Sequence, residues 1–185
     1  MALTKSNPFK LTQKAPNFNL LDVVLSKEKS LQELKGRNGT LILFICNHCP
    51  YVIHINKILV SLANHYQKQG INFIAISSND VESYAQDSPE KMKELSLEVK
   101  YPFPYLYDKT QEVAKAYDAA CTPDIFLFDK NLKIYYHGQL DNSRPGSDTP
   151  INGKDLSNAM DLLLQRKTYS GPEVPSMGCG IKWKN

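Results

Sequence analysis

Leu41-Ile42-Leu43-Phe44-Ile45-Cys46-Asn47-His48-Cys49-Pro50-Tyr51-Val52 carries three signals in succession. Leu41 to Ile45 is a continuous apolar run, which predicts a strand buried on both faces. Pro50 is a residue favoured in the first turn of a helix, which makes Cys49 its N-cap. Between strand and helix stand two thiols three positions apart. The working form of such a thiol is the thiolate. Unpaired N–H groups and the macrodipole at a helix N-terminus stabilise it. Asn47-His48 can form the turn that brings Cys46 within disulfide distance of Cys49. A protonated His48 would favour the thiolate further.

Downstream, Val52, Ile55, Leu59, Leu62 and Tyr66 recur at helical spacing, and Gly70 is a natural stop. Ile71 to Ser77 reads as a second apolar strand, so the stretch is a parallel strand–helix–strand crossover. Ser88-Pro89 opens another helix. Tyr101 to Tyr107 is at best a short strand. Asp108 with Gln111 suggests a capping box for a helix through Tyr117. Ile125 to Phe128 and Lys133 to Tyr136 form a hairpin around Asp129-Lys130-Asn131. A last helix starts at Asn152 or Gly153 and points Leu156, Ala159, Met160 and Leu163 inward. Upstream, Asn17 to Val24 predicts a strand or hairpin, and Leu31 to Leu34 a brief turn or helix. The expected architecture is α/β, a mixed sheet flanked by helices. A length of 185 residues suits one domain, 1–185, with an N-terminal arm at 1–16 and an extended tail at 168–185.

Composition narrows the function. Of 22 basic residues 19 are Lys, interleaved with 19 acids for a net charge of +3, so no basic patch for nucleic acid is expected. No apolar run is long enough to span a membrane, and Met1 to Lys14 lacks a signal-peptide core. The expectation is a soluble, cytoplasmic protein. Four cysteines are too few for a disulfide scaffold at this size. A lone Cys-x-x-Cys offers two of the four ligands that a structural zinc needs. The pattern therefore favours redox chemistry without metal or cofactor.

The motif, its strand–helix setting and Thr122-Pro123 before a hairpin together resemble the thioredoxin superfamily. More narrowly, Ala15-Pro16-Asn17-Phe18-Asn19-Leu20 and Lys35-Gly36 resemble the opening of the branch related to alkyl hydroperoxide reductase and thiol-specific antioxidant proteins. Cys46 to Val52, Ser78-Asn79-Asp80, Cys121-Thr-Pro-Asp124, Gly138-Gln-Leu-Asp141 and Ser176-Met-Gly-Cys-Gly-Ile-Lys-Trp183 resemble thioredoxin-like redoxins. The resemblance implies a thioredoxin fold with Pro123 in cis. It also implies that the backbone of Thr122 lies against the active-site sulfur and pairs with a substrate chain.

Three departures from the family pattern stand out. Ile45 replaces a Trp. The place of the buried acid holds Thr40, or Leu43 if Cys49 is the nucleophile. If Cys49 takes the peroxidatic place, the Pro and Thr positions of the peroxidase pattern hold Ile42 and Cys46. The thioredoxin register makes Cys46 the attacking sulfur, whereas the position of Pro50 favours Cys49. The expected activity is thiol–disulfide exchange by Cys46 and Cys49 in redox homeostasis. His48, Pro50, Thr122 and Pro123 support it. Protein or low-molecular-weight disulfides are the substrates, and a thiol is the electron donor. A thiol peroxidase with an antioxidant role, or a redox-inactive binding module, are the alternatives. Cys121, two residues before Pro123, is expected as a small buried side chain that could instead relay a disulfide. Cys179 lies in a tail that Ile181 and Trp183 are expected to anchor; otherwise it is a resolving thiol. Arg144 is expected as a surface-loop residue unless it serves a peroxidase site.

Overall fold

A computed structural model describes residues 3–8 and 14–184. The strands are β1 (Leu3–Lys5), β2 (Asn19–Asp22), β3 (Lys27–Ser30), β4 (Gly39–Phe44), β5 (Ile71–Ser77), β6 (Tyr105–Tyr107), β7 (Cys121–Thr122), β8 (Asp124–Asp129), β9 (Ile134–His137) and β10 (Met177–Gly180). The helices are α1 (Leu31–Leu34), α2 (Pro50–Tyr66), α3 (Pro89–Val99), α4 (Glu112–Ala116) and α5 (Lys154–Leu164). Seven strands form a mixed sheet in the order β3-β2-β6-β5-β4-β8-β9. β4, β5 and β6 run parallel, and β8 returns antiparallel to β4.

β4 lies at the centre because its side chains are apolar on both faces. Leu41, Leu43 and Ile45 pack with Val52, Leu59, Met92, Leu156 and Met160 on one side. Ile42 and Phe44 pack with Leu31, Ala114, Tyr117, Phe126 and Phe128 on the other. Helices therefore cover both faces, as the sequence predicts. Each fully buried Leu, Ile or Phe contributes about 1.5–3 kcal/mol by leaving water, and Leu41, Ile42, Leu43 and Ile45 are all 0% exposed. No helix among the described residues is long and apolar enough to cross a membrane.

Two expectations need correction. Asp108 and Gln111 do not form a capping box. The helix starts at Glu112, and Gln111 adopts a left-handed φ of 64° with no capping side chain. Asp108 reaches across instead, accepting from Ala114 N at 2.9 Å and from Ser78 Oγ at 2.8 Å. Gln111 turns to the tail, donating to Lys182 O and accepting from Lys184 N. The second correction concerns the chain ends. Residues 1–16 are not simply an arm, because β1 pairs antiparallel with β10, and β10 with β7, in a separate three-stranded sheet. The part of the arm from residue 9 to 13 lies outside the described residues.

Candidate active site

Cys49 is the N-cap of α2, with Pro50 in the first turn, as the sequence predicts. The Thr122-Pro123 bond is cis. It turns the Thr122 backbone toward the helix end, where Thr122 O lies 3.0 Å from Cys49 Sγ. The Thr122 hydroxyl is 3.4 Å from Cys46 Sγ. On the far side, Cys179 Sγ stands 3.0 Å from Cys49 Sγ. All four cysteines are free thiols and buried, Cys49 with 0% exposure.

These neighbours divide the protons unequally. The neighbouring Cys46 thiol is the largest influence holding the Cys49 pKa well below that of an ordinary thiol. Burial opposes this. Cys179, the Thr122 side chain and Val52 N–H at the helix mouth add to the lowering and outweigh burial. The Thr122 carbonyl, an acceptor, favours the protonated thiol and tempers the effect. Cys46 moves the opposite way, pushed up first by Cys49, then by burial and the charge of Asp87, while Thr122 pulls it down. Burial first, then Cys49, pushes Cys179 up to about 12, while Lys182 pulls it down.

Ultraviolet thiolate absorbance, wild type minus Cys49→Ser, is expected to titrate with a midpoint well below the ~8.5 of a free thiol. A midpoint at or above that value would assign the low-pKa sulfur elsewhere.

His48 does not face Cys49. Its Nδ1 stands 2.7 Å from Asp87 Oδ2, and its ring stacks on Tyr84 with centroids 5.6 Å apart. Asp87 is the residue that the sequence reading missed. It is 0% exposed, ends the short turn Ala85–Asp87 before α3, and accepts from Asn47 N and Asn79 Nδ2 at 2.8 Å each. Thr40 and Leu43 leave the expected place of a buried acid empty of charge, and this carboxylate stands near Cys46 from another element. The signal for it was faint, an acid just before Ser88-Pro89. Cys46, His48 and Asp87 present donor atoms within 4.8 Å of one another, three where a closed zinc site takes four.

Cys121 is fully buried and donates to Pro123 O at 3.5 Å, and burial raises its thiol pKa. Ile181 is buried, while Trp183 is 42% exposed beneath Lys115 Nζ. The tail is thus anchored by β10 and Ile181 more than by Trp183. The Arg144 guanidinium is held by neighbouring residues, donating to Asp141 O, Ser143 O and Gln139 Oε1.

Arg144 borders a small cavity with Tyr51, His54, Pro123, Asp141 and Met177. The Asp141 carboxylate there accepts from the N–H groups of Ser143, Asn152 and Gly153. Burial works against its charge, but these bonds prevail and lower its pKa. A depressed carboxylate pKa contributes stability above the unfolded value near ~3.9, and that contribution is lost as pH falls through the folded value. Asp141→Ala is therefore expected to melt lower than wild type at pH 7. The two melting curves should approach one another as pH falls from the unfolded value through the folded one, and a gap constant with pH would contradict this.

A Cys-x-x-Cys at a helix mouth, set against a cis proline just before β8 of a mixed sheet with helices on both faces, defines a thioredoxin-fold protein. The profile of the AhpC/TSA family matches residues 11–137, and the chain belongs to that family. It is 51% identical to an uncharacterized conserved protein from Geobacillus kaustophilus, whose crystal structure superposes with a TM-score of 0.97 over 100% of this chain and 97% of that one. The thioredoxin domain of a thiol-disulfide oxidoreductase from Bacteroides vulgatus shares the fold, with a TM-score of 0.66 at 19% identity, over 85% of this chain and 99% of that one. Thiol-disulfide oxidoreductase ResA of Geobacillus thermodenitrificans (strain NG80-2) is 27% identical over 120 residues, 65% of this chain. The chain spans 64% of that relative's length.

Proposed function

We propose that the protein is a dithiol thiol–disulfide oxidoreductase in which Cys49 attacks and Cys46 resolves. The observation that carries this reading is the placement of Cys49 at the helix mouth. It is the N-cap of α2 with Pro50 next to it, and its sulfur lies 3.0 Å from both Thr122 O and Cys179 Sγ. Its pKa is held below that of an ordinary thiol while that of Cys46 is raised. The Cys49 thiolate attacks a substrate disulfide, forms a mixed disulfide and expels one substrate thiolate. Cys46 then attacks Cys49 Sγ, and the second substrate thiol leaves. A thiol donor reduces the resulting Cys46–Cys49 bond. Asp87 and His48 stand beside Cys46, placed to take its proton in the second step.

Because Cys49 exposes no surface, a substrate sulfur reaches it only when the cover moves. A thiolate stabilised in the reduced state makes the pair more oxidising, so its potential should lie above roughly −270 mV, the thioredoxin value. Equilibration with glutathione buffers measures it. The neighbours named thiol-disulfide oxidoreductase support exchange. Arg144, held by Gln139, Asp141 and Ser143, supports it over peroxide reduction. A paired assay of disulfide reduction and hydroperoxide consumption tests the reading: exchange should be fast and peroxide turnover slow. The reverse result would favour the peroxidase, and activity in neither assay the binding module.

A further inference from the structure

The exchange mechanism leaves Cys179 unused, although it is the sulfur found 3.0 Å from Cys49 Sγ. Its placement is built rather than incidental. β10 lies antiparallel on β7 with Cys179 opposite Thr122, the residue that touches both other sulfurs. Gly178 lets the strand approach that closely, since a Cβ there would collide with the Thr122 carbonyl. β1 pairs along the other edge with Leu3 opposite Cys179. Beyond the strand, Lys182 N donates to Asn79 Oδ1 at 2.9 Å. The edge where a substrate chain would pair thus holds the protein's own strand, with a cysteine where a substrate sulfur would sit.

We propose that Cys179 is a third redox thiol, which resolves the mixed disulfide on Cys49 and leaves a Cys49–Cys179 bond. This rests on the reading of Cys49 as the attacking sulfur. The sulfurs need to close by about 1 Å to reach the ~2.05 Å of a disulfide. The electrostatics change once Cys49 is capped. Its bond and charge no longer raise Cys179, leaving burial against the pull of Lys182. Cys46 also loses the influence of Cys49 but keeps burial and the Asp87 carboxylate against the pull of Thr122. The cation beside Cys179 and the anion beside Cys46 favour Cys179 as the thiolate.

In the step itself, the Cys179 thiolate attacks Cys49 Sγ and the bond to the substrate sulfur breaks. The electron pair leaves with that sulfur, which takes up the proton lost by Cys179. Two electrons pass from the Cys49/Cys179 dithiol to the substrate, and an external thiol restores them. Attack by Cys46 on Cys49 moves the bond to Cys46–Cys49 with no net oxidation.

The test is the Cys46→Ser protein mixed with oxidised glutathione, quenched in acid and alkylated, then read by intact mass and non-reducing peptide mapping. The Cys49–Cys179 peptide pair should dominate. The glutathione adduct on Cys49 should persist at least tenfold longer when Cys179→Ser is added. In wild type, which needs no folding of a variant, the same quench should catch Cys49–Cys179 before Cys46–Cys49. Three results overturn the proposal in different ways. An adduct on Cys46→Ser as long-lived as in the double variant, with wild type forming only Cys46–Cys49, refutes the third thiol and leaves the exchange reading standing. Wild type forming neither adduct nor bond refutes both. A Cys49–Cys179 bond that no thiol donor reduces refutes a turnover role.

Discussion

Cys49→Ser is expected to lower disulfide-exchange turnover by on the order of 10³-fold or more, to the uncatalysed background. A serine hydroxyl at the same N-cap cannot form a disulfide, and the two remaining thiols near the site are both buried. Cys46→Ser removes one resolving thiol but leaves the attacking one, so its loss should be much smaller, with Cys49 recovered in its bond to Cys179 and the mixed disulfide accumulating only when Cys179→Ser is added. Steady-state rates with oxidised glutathione, paired with intact mass after quenching, decide between the two orders. Were Cys49→Ser to keep most of its turnover while Cys46→Ser lost it, Cys46 would be the attacking sulfur, in the thioredoxin register.

Asp87→Ala is expected to destabilise the fold by about 2–5 kcal/mol, because it strands buried donors that its carboxylate serves. Asn79 Nδ2 loses its acceptor in a buried place, and Asn47 N loses one in a partly buried place. The damage spreads in two directions. Asn47 belongs to the turn between the cysteines, and Asn79 also accepts from Lys182 N beyond β10. Denaturant unfolding should show a lower midpoint with the slope unchanged. Asp87→Asn keeps an acceptor oxygen but removes the charge. It should recover much of the stability, and without the Asp87 charge the Cys46 thiol should lose its proton at lower pH. Equal stability losses in both variants would mean that charge, not acceptor count, is what the site requires.

The parts of this molecule legible in the sequence are those written in local pattern. Leu41 to Ile45, Pro50 and the spacing of Val52, Ile55, Leu59 and Leu62 specify a buried strand feeding a helix, and the two cysteines fall at the junction. The cis bond before Pro123 was not legible locally, since X-Pro bonds are mostly trans; family resemblance supplied it. Asp87 was hidden because its importance is made by contacts with Asn47 and Asn79, from a turn whose sequence reads as an ordinary helix approach. His48 was legible as a site residue, but its partner was not. Sequence adjacency suggested Cys49, whereas the ring swings to Asp87. β10 was missed as a strand because Met177-Gly-Cys-Gly180 has little strand propensity of its own. Its pairing comes wholly from β1 and β7, remote in the chain.

That remoteness has a consequence for the order in which a newly made copy acquires its properties. Pairings between the two ends of a chain carry the greatest loop-closure cost and form late. Synthesis runs at about 5–20 residues per second. The helix mouth bearing Cys46 and Cys49 therefore leaves the ribosome, and can fold, before Met177–Gly180 has been translated. Until then nothing from the C-terminal end lies over Cys49. A nascent chain should therefore react with oxidants more readily than the finished protein. Alkylation of Cys49 on stalled ribosomes, compared with release products, would show this maturation as a fall in reactivity.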